Sequence, residues 1–103
     1  MNATFITGIG TNVGKTVVSA VFCEALQADY WKPVQSGTEE GCDIDTVRAL
    51  VSNAKTVFHA SAYELKLPAS PNIAASAENV IIEPEKLKIP KTENHLIIEG
   101  AGG

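Results

Sequence analysis

The stretch Phe5-Ile6-Thr7-Gly8-Ile9-Gly10-Thr11-Asn12-Val13-Gly14-Lys15-Thr16 decides the reading of this chain. An apolar, β-prone segment, Thr4 to Ile6, runs into a glycine-rich turn that ends in Gly-Lys-Thr and opens a helix. That order builds an anion cradle: backbone N–H groups of the turn and of the new helix N-terminus face a phosphate. Lys15 is placed to reach the outer phosphates, and the Thr16 hydroxyl to ligate Mg²⁺. Gly8 and Gly14 enclose five residues, one more than the standard phosphate loop, and Ile9 holds the usual place of its first glycine. The tripeptide alone is a weak signal, since a capped helix carrying a solvated lysine has the same letters. The strand–turn–helix context favours phosphate binding.

Composition frames the rest. The chain has 103 residues, enough for one domain with a modest core. Apolar residues at 45% and charged residues at 19% describe an ordinary globular protein. The net charge is −4 with acids and bases interspersed, so no basic stripe points to nucleic acid. No apolar run is long enough to span a membrane. No positive segment precedes Ala3–Ile9, so a secretory signal is not expected and the default location is cytoplasmic. Cys23 and Cys42 lack metal-ligand spacing; Cys23 reads as core, Cys42 as a free thiol in a polar loop.

Periodicity extends the pattern. A first helix is expected from Gly14 to Leu26, with Val18, Val21, Phe22 and Ala25 as its buried face. Tyr30-Trp31-Lys32 reads as a second strand, and Pro33 ends its regular pairing. Val34 to Cys42 reads as a loop. Asp43 or Asp45 caps a second helix, roughly Asp45 to Val51. Thr56-Val57-Phe58 is a short third strand. Ser70-Pro71 starts a helix that continues to Ala77, and Glu85 to Lys88 makes one turn before Pro90. His95 to Glu99 reads as a strand buried on both faces, followed by the turn Gly100-Ala101-Gly102-Gly103. Strands alternating with helices predict an α/β fold with a parallel sheet. A glycine turn directly after a buried strand ordinarily leads into more sheet, so the 103 residues are expected to be the front half of a larger nucleotide-binding domain.

The strand ends carry the chemistry. Lys32 ends the second strand on the same rim as the phosphate loop, where its charge can meet a transferring phosphoryl group. An acid after a buried strand, Glu99, resembles a carboxylate that orients Mg²⁺. Thr16, Asp45 and Glu99 together form a plausible magnesium shell, the ion using few carboxylates beside phosphate and water. The plainer roles are a helix cap for Asp45, a solvated strand-end acid for Glu99 and a surface lysine for Lys32. His59 and His95 have no Cys or His partner and read as structural. Trp31 reads as packing rather than as a base-stacking platform.

Four motifs in order make a specific resemblance: Thr7-Gly8-x-x-Thr11-x-Val13-Gly14-Lys15-Thr16; Lys32-Pro33-Val34-x-Ser36-Gly37; Ser70-Pro71; and Glu99-Gly100-Ala101-Gly102-Gly103. Across essentially the whole chain they resemble the N-terminal half of the dethiobiotin synthetase family, which also has the extra residue in the phosphate loop. The resemblance implies a P-loop NTPase-like, doubly wound parallel sheet, present as an incomplete front half. It implies an ATP- and Mg²⁺-dependent cyclo-ligase of biotin biosynthesis that is homodimeric when complete. Diaminopelargonate takes up CO₂ as a carbamate, ATP phosphorylates it, and the second amine closes the ring. Lys15 and Lys32 match the family's active-site lysines; Thr16, Asp45 and Glu99 match its metal ligands; Ser36 matches a substrate-contacting serine. Asn12, Val13, Gly14, Lys15, Thr16, Val17, Asp45, Glu99, Gly100, Ala101 and Gly102 match its nucleotide contacts. Asn12 stands where many members carry an acid, Asn72 where His is usual, and the region between Ala77 and His95 is short. Rival readings are a related P-loop amidoligase of cobalamin synthesis, a phosphotransacetylase-type domain, and a nucleotide-binding module without chemistry. Lys32-Pro33-Val34-x-Ser36-Gly37 favours the biotin enzyme over the first two, and retention of both lysines and all three metal ligands argues against the third.

Overall fold

The computed structural model describes residues 2–8 and 12–101. A four-stranded, all-parallel sheet is built from β1 (Ala3–Ile6), β2 (Asp29–Trp31), β4 (Phe58–His59) and β6 (Leu96–Glu99), in the order β1-β6-β2-β4. The last strand in sequence therefore lies between the first two. Its Leu96–Glu99 is buried throughout, as a strand covered on both faces must be. The register sets Ile6 beside Glu99 and Trp31 beside Ile98, so β1, β2 and β6 end at one rim.

Helices α1 (Asn12–Leu26) and α2 (Asp43–Leu50) pack on one face of this sheet. The core there joins Ala20 and Cys23 of α1, Val47 of α2, and Tyr30 and Ile97 of the sheet. The opposite face holds Trp31, Leu96 and Ile98. Trp31 packs as expected and donates its indole N–H to the Ala60 carbonyl at 3.1 Å. The parallel α/β layout is that of a P-loop NTPase-like fold.

The face of α1 that is buried differs from expectation. Thr16, Ser19, Ala20 and Cys23 face the sheet, whereas Val18, Val21 and Phe22 are 43%, 60% and 40% exposed. Both sets follow the same i, i+3, i+4, i+7 spacing, two residues apart, which is about 200° around a helix. Apolar residues on nearly every side leave periodicity unable to choose, and the smaller side chains take the close contact with the sheet. Ser19 remains dry by donating to the Lys15 carbonyl at 2.8 Å.

The segment after Pro33 is not a plain loop. Val34–Ser36 forms β3, paired in parallel with β5 (Tyr63–Leu65), and Thr38–Glu40 makes a 3₁₀ turn. This small second sheet packs on helix α3 (Pro71–Ala77) through Val34, Leu65, Ala74 and Ala75. Each of its strands is three residues long, too short to show an alternating pattern. Gly37 sits at φ 70°, where a Cβ would stand 3.0 Å from the Pro68 Cβ, so the turn after β3 requires glycine. Ser70 precedes Pro71 at the helix start, but its hydroxyl donates to Asn72 Oδ1 at 2.9 Å rather than capping the backbone.

Candidate active site

The rim where β1, β2 and β6 end gathers the charged groups. Lys15 and Thr16 lie in the first turns of α1, the element that follows β1 in sequence. Both are buried, and Lys15 Nζ has no hydrogen-bond partner among the described residues. A buried ammonium without a partner costs several kcal/mol, of order, so this position suits an anion that arrives from outside the chain. Thr16 Oγ1 donates to Glu99 Oε2 at 3.1 Å.

Glu99 ends β6 and is fully buried, not the solvated strand-end acid of the plainer reading. Tyr30 donates its phenolic O–H to Glu99 Oε1 at 2.8 Å. Lys32 Nζ lies 3.4 Å from Glu99 Oε2 and forms a closer ion pair with Asp43 Oδ2. Lys32 is 2% exposed, so it is no surface lysine. Burial pushes the Glu99 carboxyl above the ordinary carboxylate range. The Tyr30 hydrogen bond and the Lys32 charge pull it down, and the Asp43 charge pushes it up again.

Asp43 takes the place expected of Asp45. Helix α2 begins two residues earlier than its pattern suggested, with Cys42 as its N-cap. Asp43 in its first turn faces Lys32, and two residues further round the helix Asp45 lies on the outer side. The Asp45 side chain is 69% exposed and accepts from Arg48 Nη1 at 3.2 Å. Neither acid caps the helix with its own side chain. Instead the Asp43 backbone N–H donates to Gln35 Oε1 at 2.9 Å, and Gln35 Nε2 donates to the Ser36 carbonyl at 2.7 Å. One amide thus ties β3 to the start of α2 and holds Asp43 over the rim. Ser36 Oγ is buried without a partner among the described residues.

Gly100 follows Glu99 where β6 meets β1. Its N–H donates to the Ile6 carbonyl at 2.9 Å, and a Cβ there would meet the Phe5 ring at 3.1 Å. Glycine is what lets the chain turn at the strand end without displacing that ring. Val17 is 44% exposed on the outer side of α1, and Ala101 is half-buried. Of the expected nucleotide contacts, Gly102 and the side chains of Asn12 and Val13 lie outside the described residues.

Outside the rim the two histidines have structural partners. His59 Nε2 pairs with Asp29 Oδ2 at 2.8 Å and His95 Nε2 with Thr4 Oγ1 at 2.7 Å, in line with structural histidines. Cys23 is fully buried, and its thiol is pushed up to about 12 by burial and by the Asp29 and Glu99 charges, so it is inert core. Cys42 is a free cysteine. No helix among the described residues is long and apolar enough to cross a membrane.

Hard oxygen donors, the Thr16 hydroxyl and the Asp43 and Glu99 carboxylates, converge around Lys32. That donor set fits Mg²⁺, which favours oxygen and takes only one or two carboxylates when phosphate supplies the rest. Among the described residues no group of three or more His, Cys, Asp or Glu could hold a metal ion by itself. Tyr30, Gln35 and Asp43 are the site residues that pattern reading missed. Only the period-2 alternation of β2, which sets Tyr30 on the face of Ile97, held a signal for the first of them.

Comparison with known proteins finds named relatives. The ATP-dependent dethiobiotin synthetase BioD of Christiangramia forsetii is 54% identical over 99 residues, 96% of this chain and 48% of that protein. The enzyme of the same name from Cytophaga hutchinsonii is 51% identical over 104 residues, covering 100% of this chain and 50% of its own length. The biotin biosynthesis bifunctional protein BioCD of Bordetella avium is 50% identical over 100 residues, 96% of this chain and 22% of that protein. The chain spans about half the length of the two synthetases it matches. The family described as an AAA domain matches residues 2–103, nearly every residue of the sequence. With that match and the parallel sheet that carries it, the chain belongs to that AAA domain family.

Proposed function

We propose that the chain is the N-terminal part of a single nucleotide-binding domain in an ATP-dependent cyclo-ligase that makes dethiobiotin. Its substrates are diaminopelargonate, CO₂ and ATP. The observation that carries this reading is Lys32, buried at the sheet rim between Asp43 and Glu99, whose carboxylate also takes the Thr16 hydroxyl, while Lys15 Nζ is buried without a partner among the described residues. A nucleotide-binding module needs the Lys15–Thr16 cradle. It does not need a second buried lysine mounted on another strand. The reaction is the one for which the matched relatives are named, and the four motifs support siting it at this rim.

The reaction runs in three bond changes. An amine of the diamine adds to CO₂ and loses a proton, giving a carbamate. A carbamate oxygen attacks the γ-phosphorus, the bond to the β-phosphate oxygen breaks, and ADP leaves. The second amine then attacks the carbamate carbon, the ring closes with loss of a proton, and phosphate departs with the bonding pair. Phosphorylation converts oxide, a poor leaving group, into phosphate.

The chain's residues position and neutralise. Lys15 meets the outer phosphates at the helix N-terminus, where the backbone dipole also favours negative charge. Lys32 places its ammonium where charge develops between carbamate and γ-phosphoryl group. Asp43 and Glu99 hold Lys32 in place, and the Ser36 hydroxyl, without a partner among the described residues, can bond the carbamate or its amine. Thr16, Asp43 and Glu99 are the residues that would hold Mg²⁺, which neutralises phosphate charge when bound. In this reading the protein works as a cytoplasmic homodimer.

The test is product formation by the intact protein. Dethiobiotin should appear only when diaminopelargonate, bicarbonate and Mg·ATP are all present, with one ADP released per product. A folded, nucleotide-binding protein that releases ADP without the diamine, or forms no product with it, would overturn the reading.

A further inference from the structure

Tyr30 is fully buried in the core between α1 and the sheet, packed with Cys23, Val47 and Ile97. In the parallel register it stands beside Ile97, two residues before Glu99 on the same face. Two strand residues rise roughly 6.6 Å, a gap that a phenol bridges along the sheet. The hydroxyl accordingly meets Glu99 Oε1 at 2.8 Å. The other carboxylate oxygen has different neighbours: Oε2 accepts from Thr16 Oγ1 and faces Lys32 Nζ. One oxygen is therefore tied down into the core and the other is turned to the rim.

The geometry points to Tyr30 as the positioning residue for Glu99, its hydroxyl fixing the carboxylate plane so that Oε2 faces Thr16 and the incoming nucleotide. This rests on the reading of Thr16 and Glu99 as holders of Mg·nucleotide. Glu99 is fully buried, so no water can replace the phenol at Oε1. A buried acceptor left without its donor is costly. The nearest remedy is rotation of the carboxylate toward Lys32, which takes Oε2 away from Thr16. The ring itself cannot drift, because packing locks it in place. Hydrogen bonds that orient ligating carboxylates are worth about 10–100-fold in metal affinity. A purely packing role makes the opposite forecast, since phenylalanine would serve as well.

The experiment is titration calorimetry of ADP against the intact protein, wild type and Tyr30→Phe, in excess chelator and in Mg²⁺. Wild type should bind ADP more tightly with Mg²⁺. Tyr30→Phe should keep metal-free ADP binding within about twofold while its gain from Mg²⁺ shrinks about tenfold or more. An unchanged Mg²⁺ gain would overturn the role of Tyr30 and leave the site reading intact. Wild-type binding indifferent to Mg²⁺ would overturn the site reading, and the inference with it. The double variant Tyr30→Phe/Glu99→Gln guards against a general loss of fold. With the carboxylate gone, Tyr30→Phe should change the Mg²⁺ gain no further, and an additional loss of the same size would refute positioning through Glu99.

Discussion

Lys32 Nζ stands between two carboxylates from different elements, Asp43 of α2 and Glu99 of β6, 3.4 Å from Glu99 Oε2. The lysine follows β2, so three separate pieces of chain converge on one ammonium. Removing it should leave a buried acid, Glu99, and a half-buried one, Asp43, without their shared cation. Lys32→Ala is expected to destabilise by about 3–5 kcal/mol, the usual result of deleting one partner of a buried ion pair. Turnover should fall by roughly two orders of magnitude or more, with ADP binding held within several-fold. Adding Asp43→Asn should recover part of the melting temperature but none of the turnover. Near-normal turnover of Lys32→Ala would reduce the lysine to a structural clamp.

Lys15 behaves differently because its ammonium is buried without a partner among the described residues. Its charge is then a burden on the ligand-free fold. Lys15→Met should leave the melting temperature equal or higher, while ADP affinity drops roughly 10–100-fold, the worth of a charged hydrogen bond. A melting curve and a calorimetric titration decide it. Unchanged ADP affinity would remove Lys15 from the phosphate site.

Asp43 and Asp45 offer a clean contrast, being two residues apart on one short helix. Asp43→Asn should weaken Mg·ADP binding by about tenfold or more. Asp45→Asn, on the exposed side with Arg48, should change it less than twofold. The reverse ranking would mean that α2 turns when nucleotide binds.

Acid stability should depend on Glu24, which ties α1 to the segment after α2. Its carboxylate accepts from the Ser52 and Asn53 N–H groups at 3.1 and 3.0 Å and from both side chains. Those bonds, the Ser52 hydroxyl first and the Asn53 amide next, lower its pKa from 4.5 to about 2. A depressed acid contributes stability above its unfolded pKa and loses it as pH falls through the folded one. Glu24→Gln should therefore be less stable than wild type at pH 7, with the gap closing between pH 4.5 and 2. Asp29 adds a loss of the same sign. Burial raises its pKa, but bonds from Thr92, Asn94, His59 and the Val57 N–H outweigh that and leave it lowered. Denaturant titrations across this range would show a constant gap if the Glu24 pKa were the same in the folded and unfolded chain.

The parallel sheet and the rim were legible because each rests on chemistry that letters carry. Gly14-Lys15-Thr16 after an apolar strand, and Leu96-Ile97-Ile98-Glu99 before glycine, specify strand ends whatever the details between them. The resemblance to dethiobiotin synthetases rested on the same residues, and the matched relatives bear that name. What failed was angular. Whether α1 buries Val18 or Ser19 depends on a rotation that its nearly all-round apolar surface does not encode. Whether Asp43 or Asp45 faces Lys32 depends on a helix start two residues earlier than its apolar pattern, held by Gln35 from another strand. Tyr30 was hidden for a related reason: strand alternation gives its face, but only the β2–β6 register shows which acid its hydroxyl reaches.

The outward stripe of α1 has a further consequence, in solution rather than at the site. Val17, Val18, Val21 and Phe22 sit on adjacent turns and are all at least 40% exposed, with Leu50 of α2 alongside. Val17, Val21 and Leu50 together line a shallow apolar groove between the two helices. Each such side chain, about half in water, forgoes roughly half of the about 1.5–3 kcal/mol that full burial gives. The 103 residues prepared by themselves should therefore be salted out readily. Sulfate, which strengthens apolar association, should drive them into aggregates at concentrations where chloride does not. Light scattering in the two salts would register this, and Val21→Glu should raise the sulfate threshold without touching the nucleotide rim.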